Sequence, residues 1–173
     1  MTTPLPDGLI VVAKQACPTC VLVEPLLAEL ASGGAAVTVY TQDDPAYGRG
    51  ATQVVDDTAL ERSFALDIEI VPTLIRVENG REVERTYGWH RGDWQRISGR
   101  AGLGASLPDV RPGCGSLTLE PGVAETLAVR FGKATFGSRP IEIGAAEDPE
   151  EACFARGWSD GLPVIPPTRE RVL

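Results

Sequence analysis

The sequence predicts an α/β fold in which a central mixed β-sheet is flanked by helices, followed by a C-terminal α/β extension. Three observations indicate this. Residues 9–13 form an apolar run without polar alternation, as expected of a strand covered on both faces. A helical pattern follows at 21–31. Later, Asn79-Gly80 separates two β-rich runs, which is the strongest short-range hairpin signal.

The composition limits the class of protein. The chain has 173 residues, a hydrophobic fraction of 43% and a net charge of −8. That apolar fraction is ample for a core, whereas the negative charge disfavours nucleic acid and anionic membranes as partners. Residues 1–8 lack the basic and apolar regions of a signal peptide, and no apolar run approaches the roughly 18 residues of a membrane span. We therefore expect a cytoplasmic protein with no membrane partner.

The first strand is followed by a helix with one apolar stripe. The stripe consists of Val23, Leu26, Leu27 and Leu30. Pro25 interrupts this helix and is expected to bend it, and Ser32-Gly33-Gly34 should end it. Residues 35–40 form a second β-rich run.

The next stretch is polar and then returns to β-rich sequence. We expect a loop over 42–57 and a short helix from Thr58. Strands should follow before and after Asn79-Gly80, the return strand spanning 82–87. A short helix with Trp94 and Ile97 closes this domain, for which we predict the bounds 1–99.

Cys17-Pro18-Thr19-Cys20 lies between the first strand and the first helix. At a helix N-terminus, unpaired N–H groups and the helix dipole favour a thiolate, which is the form that attacks a disulfide. We therefore assign Cys17 as the nucleophile, exposed at the turn, and Cys20 as the more buried resolving thiol.

Several landmarks occur together with this motif. Pro25 lies five residues after Cys20, and Val71-Pro72-Thr73 precedes the Asn79-Gly80 turn. In these features residues 9–98 resemble the thioredoxin superfamily. The resemblance implies a thioredoxin-like fold and a thiol–disulfide oxidoreductase that needs no cofactor.

The resemblance also implies roles around Pro72. This proline would be cis and would be part of the catalytic site. Val71 and Thr73 would bind substrate, the backbone of Val71 pairing with an extended segment of a protein disulfide or dithiol client. An electron donor such as a reductase would be a second partner.

The sequence departs from the thioredoxin pattern at three places. Val11 stands where the family has a buried aspartate, Ala16 where it has a tryptophan, and Pro18-Thr19 is closer to the glutaredoxin type. These departures favour a dedicated partner over the many general clients of a thioredoxin.

The other two cysteines leave alternatives open. Cys114 is flanked by glycines, so it is either an accessible auxiliary thiol that relays electrons or an ordinary loop residue. Cys153 is most simply a small buried hydrophobe. Both could instead complete a structural zinc site with Cys17 and Cys20, although two single, distant cysteines are untypical of such sites. His90 is expected to be a surface or loop residue.

Beyond the first domain we predict a linker over 100–118 and an extension over 119–173. The extension should contain a helix from Glu120 to Gly132, a short strand over 140–144, and a helix capped by Asp148. This region could dock another domain, which gives an alternative function as a thioredoxin-like adaptor.

The end of the sequence suggests a further partner. Thr168 should cap a helix that the sequence leaves only five residues long, so we expect the natural fold to continue beyond Leu173 or in a partner. Residues 157–168 are similar to the opening of bacterial proteins related to glycine-reductase-type selenoproteins. This resemblance implies a selenoprotein-related or fused partner domain.

Overall fold

The computed structural model describes residues 4–132, 137, 139 and 141–172. They divide into two compact units, 1–123 and 124–173. The first unit is mixed α/β, with a central mixed sheet flanked by helices. In the described part of the chain, no helix is long and apolar enough to cross a bilayer.

Five strands form the central sheet, in the order β3-β2-β1-β5-β6. They are β1 (Gly8–Ala13), β2 (Val37–Thr41), β3 (Gln53–Asp56), β5 (Thr73–Glu78) and β6 (Arg81–Tyr87). The first three are parallel, whereas β5 runs antiparallel to both β1 and β6. Because β1 is central, residues 9–13 are buried, as their unbroken apolar pattern predicts.

Three helices accompany this sheet: α1 (Pro18–Ser32), α2 (Glu61–Ala65) and α3 (Arg91–Ser98). The α1 stripe is buried, and Gly33 ends the helix as predicted. Pro25 lies within α1, which continues to Ser32. Helix α1 packs on β2, and α3 packs on β5 and β6.

The turn between β5 and β6 matches its prediction. Asn79 and Gly80 both have positive φ, 53° and 72°, as a two-residue primed turn requires. Strand β3 was missed, because the loop predicted over 42–57 contains it. Its side chains are exposed or half-buried and its end residues are polar, so it carries no apolar run to mark it.

The segment predicted as a linker, 100–118, lies within the first unit instead. Leu103 is fully buried there, and the indole N–H of Trp89 donates to Pro108 O at 2.6 Å. Two short antiparallel strand pairs also join residues 100–118 to the rest of the first unit. They join β7 (Trp89–His90) to β8 (Val110–Arg111), and β4 (Ile70–Val71) to β9 (Cys114–Gly115).

The second unit contains helices α4 (Val123–Arg130, which begins at the boundary), α5 (Pro149–Ala155) and α6 (Arg169–Val172). Asp148 caps α5 as predicted, accepting from the N–H groups of Glu150 and Glu151. The strand predicted over 140–144 is wrong where it can be assessed, since 141–144 have no regular structure; Pro140 lies outside the described residues. The described part of this unit is therefore helical rather than α/β.

Candidate functional site

Cys17 lies at the N-cap of α1, with three residues between it and the end of β1, and Pro18 occupies the first helical position. Proline fits there because its missing N–H would have had no helical partner. The carboxylate of Asp43 accepts from the N–H groups of Gln15 at 2.7 Å and Ala16 at 2.9 Å. Asp43 therefore fixes the two residues that directly precede Cys17.

The structure corrects the expected exposure of Cys17, whose exposed fraction is 0%. The residues that cover it come from the supposed linker. Cys114 Sγ lies 2.7 Å from Cys17 Sγ, with both residues as free thiols. We call residues 112–118 the covering segment.

The Cys17 sulfur has several hydrogen-bond partners. Its thiol can donate to Val71 O at 3.6 Å. Burial raises the pKa of Cys17, but hydrogen bonds from Cys114, Cys20 and the Thr19 N–H outweigh it and hold the pKa below that of an ordinary cysteine. Cys17 is therefore the thiol that ionises most readily in this group.

Cys20 lies one helical turn further on and is also fully buried. Its sulfur accepts a hydrogen bond from the Lys14 N–H at 3.5 Å. Burial, and to a lesser extent the neighbouring Cys17, raise the pKa of Cys20 well above that of an ordinary cysteine. The two cysteines of the motif thus have opposite pKa shifts.

The Val71–Pro72 peptide bond is cis, which agrees with the sequence expectation. Val71 O lies 3.6 Å from the Cys17 sulfur, but the main chain of Val71 pairs with the protein's own Cys114. The covering segment therefore occupies the place that the sequence assigned to an extended client. Thr73 is buried and its hydroxyl donates to Ile70 O at 2.5 Å, within its own loop.

Three hydrogen bonds fasten the covering segment beside the cysteines. The Thr19 hydroxyl donates to Pro112 O at 2.6 Å, and Lys14 Nζ donates to Gly115 O at 2.8 Å. The Ser116 N–H donates to Glu69 O at 2.8 Å. Lys14, considered in the sequence only as a nearby positive charge, is therefore an anchor.

A buried polar network holds the far end of the segment. The side-chain amide of Gln42 donates to Ser63 Oγ at 2.9 Å and to Ser116 Oγ at 2.7 Å, and its oxygen accepts from the Leu117 N–H at 3.1 Å. The Thr118 hydroxyl donates to Ile68 O at 2.6 Å. Because buried polar groups are costly unless paired, this network favours one seated position of the segment.

The segment also approaches β4 too closely for any side chain at position 113. A Cβ added to Gly113 would lie 2.4 Å from Ile70 Cγ2 and 2.6 Å from Val71 O. At Gly115, two residues on, an added Cβ would meet nothing within 4 Å. The glycine before Cys114 is therefore a packing requirement, whereas the one after it is not.

The remaining candidates lie elsewhere. His90 is exposed and its Nδ1 accepts from the Asp93 N–H at 3.4 Å, so it caps α3. Cys153 is buried in α5, as expected. Over the described ranges, no group of three or more His, Cys, Asp and Glu side chains is arranged to hold a metal ion.

Sequence reasoning missed the anchors Thr19, Gln42 and Ser116. Their common signal is that polar side chains are buried, which no sequence pattern displays. Comparison with known proteins gives no further assignment: the chain matches no protein-family model and no curated protein sequence.

Proposed function

We propose that this chain is a thiol–disulfide oxidoreductase with a thioredoxin-like fold, which cycles Cys17 and Cys20 between dithiol and disulfide. The observation that carries the proposal is the placement of Cys17 at the N-cap of α1, with Cys20 one helical turn further on and Val71 O 3.6 Å from the Cys17 sulfur. The lowered pKa of Cys17 and the raised pKa of Cys20 support it. The lowered pKa of Cys17 favours the thiolate that attacks a disulfide, whereas a resolving thiol acts only after the first bond has formed and can keep a raised pKa.

The reaction runs in two exchanges. The Cys17 thiolate attacks one sulfur of a client disulfide, which forms a mixed disulfide and releases the other client sulfur as a thiolate that takes up the proton lost by Cys17. Cys20 then loses its proton and attacks the Cys17 sulfur, so that the second client thiol leaves with that proton. The client has gained two electrons and the protein holds a Cys17–Cys20 disulfide, which a dithiol donor reduces again.

A client must first displace part of the covering segment. Cys17 is fully buried and the Val71 main chain is already paired, so an extended client would replace β9 in the same antiparallel register. This requirement supports a protein client that can add an extended segment, rather than small disulfides, and insulin serves as such a client in the test. We expect the client and donor in a reducing compartment such as the cytoplasm.

Insulin reduction with dithiothreitol as donor tests the assignment. Cys17→Ser should abolish activity, whereas Cys153→Ala, a buried cysteine of the other unit, should leave it unchanged. The double variant Cys20→Ser/Cys114→Ser lacks both neighbouring thiols seen in contact with Cys17 and should accumulate a mixed disulfide with the client. Full activity of Cys17→Ser would refute the role of Cys17.

A further inference from the structure

Cys114 is held against Cys17 by its own backbone. Strand β9 pairs Cys114 with Val71 and Gly115 with Ile70, and hydrogen bonds at Pro112 and Ser116 fix the chain on either side. The two sulfurs are 2.7 Å apart, so they need to approach by only about 0.7 Å to reach the S–S bond length of about 2.05 Å.

Access to the sulfurs differs between the three cysteines. Cys17 and Cys20 are both 0% exposed, whereas Cys114 is partly exposed. With the covering segment in place, a Cys17–Cys20 disulfide would offer no sulfur to an electron donor. A Cys17–Cys114 disulfide would offer the sulfur of Cys114.

We propose that Cys114 is a third redox thiol, which takes over the disulfide from Cys20 and is the point at which the electron donor attacks. This inference rests on the proposed function, because the client disulfide supplies the oxidation that first produces the Cys17–Cys20 bond. The sequence suggested only that Cys114 could be an auxiliary thiol; the proposal names Cys17 as its partner and transfer of the disulfide from Cys20 as its step.

The transfer is an intramolecular exchange. The Cys114 thiolate attacks the Cys17 sulfur of the Cys17–Cys20 disulfide, the Cys17–Cys114 bond forms, and Cys20 leaves as a thiolate that takes up the proton lost by Cys114. No electrons enter or leave in this step. Burial raises the pKa of both Cys114 and Cys20, so Cys114 must first give up its proton, and Cys20 holds that proton once it has been released.

Reduction of the Cys17–Cys114 disulfide then takes place at Cys114, its partly exposed member. A dithiol donor attacks the Cys114 sulfur, and Cys17 leaves as a thiolate. The donor's second thiol resolves its bond to Cys114, so the donor becomes a disulfide and Cys114 recovers a proton. Because a thiol of low pKa leaves faster, Cys17 is the better leaving group of this disulfide.

Disulfide mapping of the full chain distinguishes the alternatives. Trypsin cleavage after Lys14 and Arg49 yields peptide 15–49 with Cys17 and Cys20, and cleavage after Arg100 and Arg130 yields peptide 101–130 with Cys114. Arg111 precedes a proline and resists cleavage. After reduced protein has turned over insulin without donor and has been alkylated, the two peptides should be joined in monomeric chains.

Two variants locate the bond. Cys20→Ser should retain the joined peptides, because Cys114 still resolves the mixed disulfide on Cys17, whereas Cys17→Ser should lose them. In addition, Cys114→Ser should be re-reduced by dithiothreitol more slowly than the unchanged chain, since its remaining disulfide is buried.

Three results would overturn the inference. A disulfide confined to peptide 15–49 would refute the transfer and leave the proposed function intact. Joined peptides found only in dimers would show a bond between chains. If insulin is not reduced and all cysteines are alkylated, the proposed function fails together with this inference.

Discussion

Replacing Gly113 by alanine should open the site without touching any cysteine. The added Cβ would lie 2.4 Å from Ile70 Cγ2 and 2.6 Å from Val71 O, distances at which something must shift. Overpacking of this kind typically costs about 1–3 kcal/mol. Since Val71 is fully buried in β4, whereas residues 112–115 of the covering segment are exposed or half-buried, we expect the segment to give way.

That cost converts into a rate. If Cys17 reacts only while the segment is displaced, its alkylation rate follows the population of the open form. A destabilisation of about 1–3 kcal/mol then raises the rate of Cys17 alkylation by about 5- to 160-fold. Iodoacetamide labelling of the reduced chain, with the label located by tandem mass spectrometry of peptide 15–49, measures this rate.

Gly115→Ala is the matched control. It adds the same methyl group two residues away, where nothing lies within 4 Å, so Cys17 should label at the original rate. Urea unfolding should show that Gly113→Ala still folds cooperatively. Equal labelling rates in the two folded variants would refute the idea that close packing at Gly113 keeps Cys17 covered.

Three further predictions concern the same region and its support. Thr19→Val removes one hydrogen bond to the covering segment, worth about 0.5–1.5 kcal/mol, and should speed Cys17 alkylation by about 2- to 13-fold. Thr52→Val removes hydrogen bonds at an exposed site elsewhere and should leave the rate of Cys17 alkylation unchanged. An equal increase in the two variants would contradict the role of Thr19 in anchoring the covering segment. Cys114→Ala removes the strongest hydrogen bond that lowers the pKa of Cys17. The pH midpoint of Cys17 ionisation, measured by thiolate absorbance at 240 nm, should therefore move to higher pH. An unchanged midpoint would show that Cys114 does not stabilise the thiolate. The Asp57 carboxylate accepts from the N–H groups of Arg62 and Ser63 in the first turn of α2. Asp57→Ala leaves these donors unpaired and should lower the free energy of unfolding, measured in urea, by about 1–3 kcal/mol, whereas a change near zero would show that these hydrogen bonds do not stabilise the fold.

The features predictable from the sequence are those that residues encode locally. The Asn79-Gly80 turn needs two adjacent residues with positive φ, and the Asp148 cap needs an acceptor beside the first N–H groups of a helix. The placement of Cys17 follows equally from a strand, a turn and a helix in succession. Each of these signals spans only a few positions.

The contacts that cover the site were not predictable, because they join residues distant in the chain. Cys17 and Cys114 are 97 positions apart. The stretch from Gly99 to Pro112 resembles a linker in composition. Leu103 is nevertheless fully buried, and the carbonyl of Pro108 accepts a hydrogen bond from the indole N–H of Trp89. The glycines that suggested an accessible Cys114 include Gly113, whose missing side chain is what permits tight packing.

The pairing of β9 with β4 has a consequence for how the protein behaves in solution. An unpaired strand edge is a template for another chain, and Ile70 is 38% exposed even in the closed form. When the covering segment leaves, the main-chain groups of β4 can pair with a client or with a second copy of the protein. Self-association should therefore increase with every change that opens the site.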